Sequence, residues 1–441
     1  MSGDPAIRLS NCLEVLLSTK NAAPARGTKD ILPREAQLRS WAISRIVETY
    51  SRHGFSQIEV PIIESIEWLT GGVGGENEKL LFKILKRGEK LDLANVTSED
   101  DLCDLALRFD LTVPLTRYFA NNQALLPQPF KAIQIGPVFR AERPQKGRFR
   151  QFTQCDIDIL GEPSYLGEIE LIAASAEALV ALSLRGFEIK INDRRALESF
   201  SRYCGFAQGQ SGDFFITLDK LDKIGIDGVA TELSAKSFAT DSIDKAVDLI
   251  QGLSAGRDPL DFYSETGVAE AVLSQLEKIA SFSKDFGGAN FSAVLDPTIV
   301  RGMGYYTGTV FEVTYPGWTS SIAGGGRYDK MLERYGKDCP AVGFSLGFER
   351  VLSILLEKHD VAQGVSRRYI TILFEESDDI KTVFQLATFW REAGYSVSLA
   401  HRKAKLGNQL KRLEAEANAA RQVGDFFGVM VYGVDHEPRE L

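Results

Sequence analysis

The sequence predicts a multidomain chain, α/β and α+β in class: a strand-rich body split by a helical insertion, then a small C-terminal α/β domain. Three patterns predict this. Strand-like alternation runs as far as Asn192, and helical spacing replaces it from Asp193 to about residue 290. Strands then resume in VLDPTIVRGMGYYTGTVFEVTYP. Near the C-terminus, YITILFE, DDIKTVFQLATFWREAG, YSVSLAH, KLGNQLKRLEAEANAARQV and GVMVYGV alternate strand and helix, as a largely parallel sheet requires.

In order, the units are a leader (1–24), the first part of the body (25–192), the insertion (193–290) and the second part of the body (291–358). A linker (359–366) and the C-terminal domain (367–441) follow. RGTKDILP leads into an amphipathic helix over about 34–53, with Leu38, Ala42, Ile46 and Tyr50 on one face and Gly54 as its stop. FSQIEVPII reads as a strand interrupted at Pro61, which has no amide to pair. GGVGG (71–75) lacks the Lys-Ser/Thr ending of a phosphate-binding loop and reads as a mobile loop, which could serve as a lid over a site. LFKILKRGEKLDL predicts a hairpin around Gly88. In ALRFDLTVPLTRYFA, Arg108, Asp110 and Thr112 alternate on one strand face before Pro114 opens a helix. Such a face could hold an ammonium group, or be a solvated strand end with a capping Asp.

The most informative stretch is FRAERPQKGRFRQFTQCDID (139–158). Arg140, Arg143, Lys146, Arg148 and Arg150 crowd a loop in which Glu142 is the only counter-charge. On the return strand, period two places Arg150, Phe152, Gln154, Asp156 and Asp158 on one face, and Thr153, Cys155, Ile157 and Ile159 on the other. The first face has the makings of a ligand floor, the second of core. Beyond the insertion, Arg301 and Tyr305–Tyr306 stand beside glycines, and AGGGRYD admits close backbone approach before Arg327 and Asp329. In GFSLGFER, Arg350 falls in the first turn of a helix, where a cation opposes the helix dipole unless an anion neutralises it. A phosphate or a surface carboxylate would serve.

The five scattered cysteines and four histidines show no metal-ligand spacing. The net charge of −9 leaves nucleic-acid binding open, because a local basic face decides that. Such a face is offered by His401, Arg402, Lys403, Lys405, Lys411 and Arg412. No apolar run is long enough to span a membrane, and the N-terminus lacks the pattern of an export signal.

Together these motifs resemble the histidyl-tRNA synthetase family of class II aminoacyl-tRNA synthetases, from Arg26 onward. Phe139-Arg140-x-Glu142 with Arg148, Phe152 and Asp156 resembles motif 2 of that class, GFSLGFER resembles motif 3, and the helix and strand through Pro61 resemble motif 1. RGMGYYTGTVFE and AGGGRYD resemble the two histidine-specific motifs. The resemblance implies an antiparallel-sheet catalytic domain, an anticodon-binding-like C-terminal domain, a cytoplasmic homodimer and no membrane. The substrates it implies are L-histidine, ATP with Mg2+, and tRNA(His). It implies that Arg140 and Arg301 are catalytic, and that Asp110, Thr112, Arg140, Gln154, Asp158, Arg301, Tyr305 and Tyr306 bind histidine. ATP would fall to Arg140, Glu142, Arg148, Phe152 and Arg350, and the tRNA acceptor end to Arg143, Gln145, Lys146 and Arg148, with no protein side chain assigned to the metal.

Three departures stand out. Gly304 replaces an acidic residue of the family motif, Asp110 and Asp158 replace longer glutamates, and the C-terminal domain stops after its third strand. The rival resemblance is to the non-aminoacylating regulatory subunit of ATP phosphoribosyltransferase. Gly304 and the short tail favour it; Arg301, the RPQKGR loop and the C-terminal domain oppose it. A sensor that binds without turnover is a third reading.

Overall fold

The computed structural model describes residues 22–70, 77–88, 91, 93, 96–143, 149–301, 304–358, 368–421 and 425–441. The loop at 71–75, the linker at 359–366, most of the leader, and Gln145, Lys146 and Arg148 lie outside the described residues.

Helix α1 (Pro33–Arg52) begins on a proline, which has no amide proton to leave unpaired in the first turn. Its Ala42, Ile46, Thr49 and Tyr50 are buried, and Gly54 at φ +81° closes it. Next come β1 (Ser56–Gln57), β2 (Ile63–Ser65), α2 (Ile66–Thr70), β3 (Phe82–Leu85) and β4 (Cys103–Leu107). The last three strands form a small sheet in the order β2-β4-β3. Helix α3 (Thr112–Asn122) leads to the long antiparallel pair β5 (Phe130–Phe139) and β6 (Gln151–Leu160), then α4 (Leu166–Ala181) and β7 (Phe187–Asp193).

Asp193 ends β7 and caps the next helix, its carboxylate accepting from the Arg195 amide at 2.8 Å. The insertion is helical as expected: α5 (Arg194–Tyr203), α6 (Ser211–Leu218), α7 (Leu221–Ala235), α8 (Thr240–Ser254), α9 (Pro259–Glu265) and α10 (Glu270–Gly287). Phe200, Phe214 and Phe262 pack edge to face inside it. Tyr263 donates to Asn192 Oδ1 at 2.9 Å and ties the insertion to β7. The chain returns through β8 (Phe291–Leu295), β9 (Thr309–Thr314), β10 (Ala323–Arg327), β11 (Ala341–Leu346) and α11 (Phe348–Glu357).

Among the described residues the main sheet has eight strands in the order β1-β5-β6-β11-β10-β9-β7-β8, parallel only at its two ends. One face of β6, Cys155, Ile157 and Ile159, packs into the core with α1 and α4, as its alternation predicts. The opposite face lines a cavity. The C-terminal unit contains β12 (Arg368–Phe374), α12 (Ile380–Glu392), β13 (Ser396–His401), α13 (Leu406–Arg421), β14 (Phe426–Val431) and β15 (Arg439–Glu440). Its first three strands are parallel.

Several expectations need correction. Strand β3 pairs with β4, not with the segment after Gly88, so the tight hairpin becomes a longer connection. FSQIEVPII is divided between two sheets, because β1 stops at Gln57 and β2 starts beyond Pro61. The domain after the linker does not stop at its third strand: β15 adds a short fourth, antiparallel to β14. Arg108, Asp110 and Thr112 do not share a strand face, since β4 ends at Leu107 and Thr112 already belongs to α3. Arg108 turns away and donates to the carbonyls of Pro137 (2.9 Å) and Val60 (2.8 Å).

Candidate active site

The floor of the cavity is the second half of the long hairpin. Phe152, Gln154, Asp156 and Asp158 line it from β6, and Gly343 and Ser345 line it from β11. Register places Gly343 opposite Asp158 and Ser345 opposite Asp156. Glycine is required at 343, because a Cβ there would stand 2.0 Å from Asp158 Oδ1. Tyr328 donates to that same oxygen at 2.5 Å. Burial pushes the Asp158 carboxyl up to about 7, with Tyr328 pulling it down and Asp110 adding to the rise.

Asp110 and Thr112 stand at one wall, where α3 begins. Asp110 Oδ1 accepts from the Val113 amide at 3.1 Å, as a helix-capping carboxylate does. Burial nevertheless raises its carboxyl to about 6. Asp156 is pushed well above the ordinary range, first by burial and then by Asp158. Asp110 Oδ2, Gln154 Oε1, Asp156 Oδ1 and Asp158 Oδ2 are buried without a hydrogen-bond partner in the protein. The floor is an array of acceptors awaiting donors.

Cations close the cavity from the other sides. Arg140, just past β5, donates Nε to the Phe109 carbonyl at 3.1 Å, and its guanidinium lies 5.1 Å from the centre of the Phe152 ring. Arg301 pairs with Glu312 at 3.1 Å. A Cβ at residue 324 would come within 2.6 Å of the Arg301 guanidinium, so the glycine run of β10 makes room for that side chain. Arg350 sits in the first turn of α11 and donates to the Ser321 carbonyl. Tyr305 and Tyr306 lie with ring centres 4.8 Å apart beside Tyr328.

The fold therefore brings Asp110, Thr112, Arg140, Glu142, Arg143, Phe152, Gln154, Asp158, Arg301, Tyr305, Tyr306 and Arg350 around one cavity. Arg150 is not among them. It precedes β6 and donates its Nε to the Glu142 carbonyl at 3.0 Å, bracing the loop instead. Arg327 is structural: it is buried against Glu168 at 2.6 Å. Sequence reasoning missed Tyr328, Ser345 and Glu349, and it gave Asp156 no role. The floor's alternation signalled Asp156, whereas only long-range pairing reveals the other three.

Residues 27–351 match the family model described as histidyl-tRNA synthetase. The chain is 42% identical over 413 residues to the histidine–tRNA ligase of Leifsonia xyli, a match covering 89% of this chain and 93% of that protein. The chain belongs to the histidyl-tRNA synthetase family.

A solved member, the histidyl-tRNA synthetase from Nostoc sp. PCC 7120, superposes with a TM-score of 0.72 at 28% identity, over 93% of this chain and 92% of that one. The large, mainly antiparallel sheet with its C-terminal α/β unit is the architecture of class II synthetases. A protein from Bacillus halodurans described as an ATP phosphoribosyltransferase regulatory subunit/histidyl-tRNA synthetase has a TM-score of 0.71 at 19% identity, covering 94% of this chain and 98% of its own. That likeness is one of fold. Gly304 is exposed, and among the described residues nothing lies within 4 Å of where a Cβ would stand.

Proposed function

We propose that the cavity performs the reaction of a histidine–tRNA ligase, an aminoacyl-tRNA synthetase that uses ATP. The observation that carries this reading is the division of one cavity between an acceptor-lined acidic floor and four arginines. An amino acid needs the first and a triphosphate the second. A carboxylate oxygen of L-histidine attacks the α-phosphorus of ATP, the bond to the departing pyrophosphate breaks, and histidyl-adenylate forms. A hydroxyl oxygen at the 3′ end of tRNA(His) then attacks the acyl carbon, the bond to the AMP phosphate oxygen breaks, and AMP leaves while the hydroxyl proton is lost.

Negative charge grows on the α-phosphate during the attack, so cations already fixed in place contribute most. Arg140 would bridge the carboxylate and the α-phosphate, and Arg301 would approach that phosphate from the opposite side. Arg350 would hold the γ-phosphate at the start of α11. Phe152 would stack on adenine and Glu142 would accept from its amino group. Asp110, Thr112 and Gln154 would take the ammonium, Asp158 and Tyr306 would take the imidazole, and Tyr305 would line the histidine site beside them. Arg143 would face the tRNA acceptor end together with Gln145, Lys146 and Arg148.

Among the described residues no group of three or more His, Cys, Asp or Glu could hold a metal. Mg2+ would be carried by the triphosphate and, when bound, would neutralise charge on the leaving pyrophosphate.

Exposed Ile31 and Leu32 ahead of α1, with Ile63 on β2 and Leu105 on β4, support a homodimer in which a second copy covers them. No helix among the described residues is long and apolar enough to cross a membrane, and we assign the protein to the cytoplasm. We keep the division into catalytic parts (25–192 and 291–358), insertion (193–290) and anticodon-binding-like domain (367–441).

The test is pyrophosphate exchange into ATP, which should occur only when L-histidine is present. Histidine binding without exchange would favour a regulatory subunit or sensor and reject the ligase reading.

A further inference from the structure

We propose that Asp156 is a third ligand for the α-ammonium group of L-histidine, alongside Asp110 and Gln154. The proposal rests on reading the cavity as a histidine site. Asp156 stands between Gln154 and Asp158 on the floor strand, lines the cavity and is only 2% exposed. Its Oδ2 accepts from Gln154 Nε2 at 3.3 Å, and Ser345 lies opposite it on β11. Its Oδ1 has no partner in the protein.

The donors and acceptors can be matched. Asp110 Oδ2, Gln154 Oε1, Asp156 Oδ1 and Asp158 Oδ2 are the fully buried side-chain acceptors without a partner on cavity-lining residues, among those described. Histidine with a neutral ring brings an equal number of N–H donors, three on the ammonium and one on the imidazole. The ring N–H goes to Asp158, whose other oxygen Tyr328 already holds. Asp110, Gln154 and Asp156 are left for the three ammonium protons. Thr112, at the start of α3, lines the same wall beside them.

The proposal also has a proton balance. Burial, Asp158 and Asp110 favour the protonated Asp156 carboxyl, against Ser345 and Arg140; Arg108 and Tyr306 also lie within electrostatic reach. When the ammonium arrives, the Asp156 O–H bond breaks, the proton passes to solvent, and an N–H hydrogen bond to the carboxylate replaces it. Binding of histidine therefore releases a proton.

Isothermal titration calorimetry of the full-length protein tests this, in two buffers of different ionisation enthalpy. The ligands are L-histidine and imidazolepropionic acid, which is histidine without its amino group. Asp156→Asn, which has the shape of the neutral acid, should weaken L-histidine by about 10- to 100-fold, the worth of a charge-assisted hydrogen bond. It should leave the amine-free ligand unchanged and reduce the protons released. Asp156→Ser should give the same pattern if the Asn variant does not fold. Unchanged histidine affinity, equal loss for both ligands, or undiminished proton release would overturn the proposal. A wild-type protein that binds no L-histidine would overturn the histidine reading itself, and the proposal with it.

Discussion

Burial of Asp110 and Asp158 around one cavity sets how the ligand-free protein responds to pH. Their carboxyls titrate at about 6 and about 7 in the fold, against an ordinary value of about 4. Between those limits the folded state binds more protons than the unfolded chain, so stability falls as pH rises from about 4 to 7. Ammonium binding runs the other way, because it needs the ionised carboxylates. The melting temperature of the ligand-free protein should drop over this range while affinity for L-histidine climbs; an affinity independent of pH would contradict the site. Gly343 makes a sharper residue-scale test. Gly343→Ala drives a methyl group into the Asp158 carboxylate and also crowds Tyr328 at 3.1 Å. It should raise KM for histidine well above any change in KM for ATP, as exchange kinetics would register.

At the scale of elements, the position of α11 depends on α1. Arg39 on α1 donates to both carboxylate oxygens of Glu349, at 2.7 and 2.8 Å, and to Thr153 Oγ1 at 2.8 Å. Glu349 also accepts from the Thr153 amide at 3.2 Å. The first turn of α11, which carries Arg350, is thereby fixed to α1 and to the edge of the floor strand. Both side chains are largely buried, so Arg39→Leu should cost on the order of 3 kcal/mol by leaving Glu349 without its partner. It should also raise KM for ATP more than KM for histidine, if Arg350 holds the phosphates as proposed. Thermal melting and exchange kinetics check the two effects; an equal rise in both KM values would show that the pair does not position Arg350. Replacing Arg39 and Glu349 together by leucine should restore much of the lost stability.

At the scale of the whole molecule, the proposed work divides between the main sheet and the C-terminal unit. The main sheet carries the cavity to which the activation chemistry is assigned, and the C-terminal unit offers Arg402, Lys403 and Lys405 as exposed cations after β13. Arg402 is partly committed to Glu375, 2.9 Å away. If this unit reads the anticodon, tRNA(His) with an altered anticodon should be charged with kcat/KM lower by about tenfold per disrupted contact, while histidine-dependent exchange is unchanged. Equal charging would confine recognition to the acceptor end.

How much of this was legible in the sequence follows from the range of the forces involved. Period two in residues 151–160 determined which face of β6 is core and which is floor, because adjacent side chains on a strand must point to opposite sides. Helical spacing and terminal glycine likewise determined α1, and the motif spacings determined the family. Local pattern could not decide partners. That β3 takes β4, that Asp110 caps a helix and leaves the strand face, and that Arg39 reaches Glu349 all depend on pairings between residues far apart in the chain. The floor strand itself shows the limit: alternation placed Asp156 and Asp158 side by side. Only the tertiary structure, by setting Gly343 and Tyr328 against Asp158 and the Gln154 amide against Asp156, separated their environments.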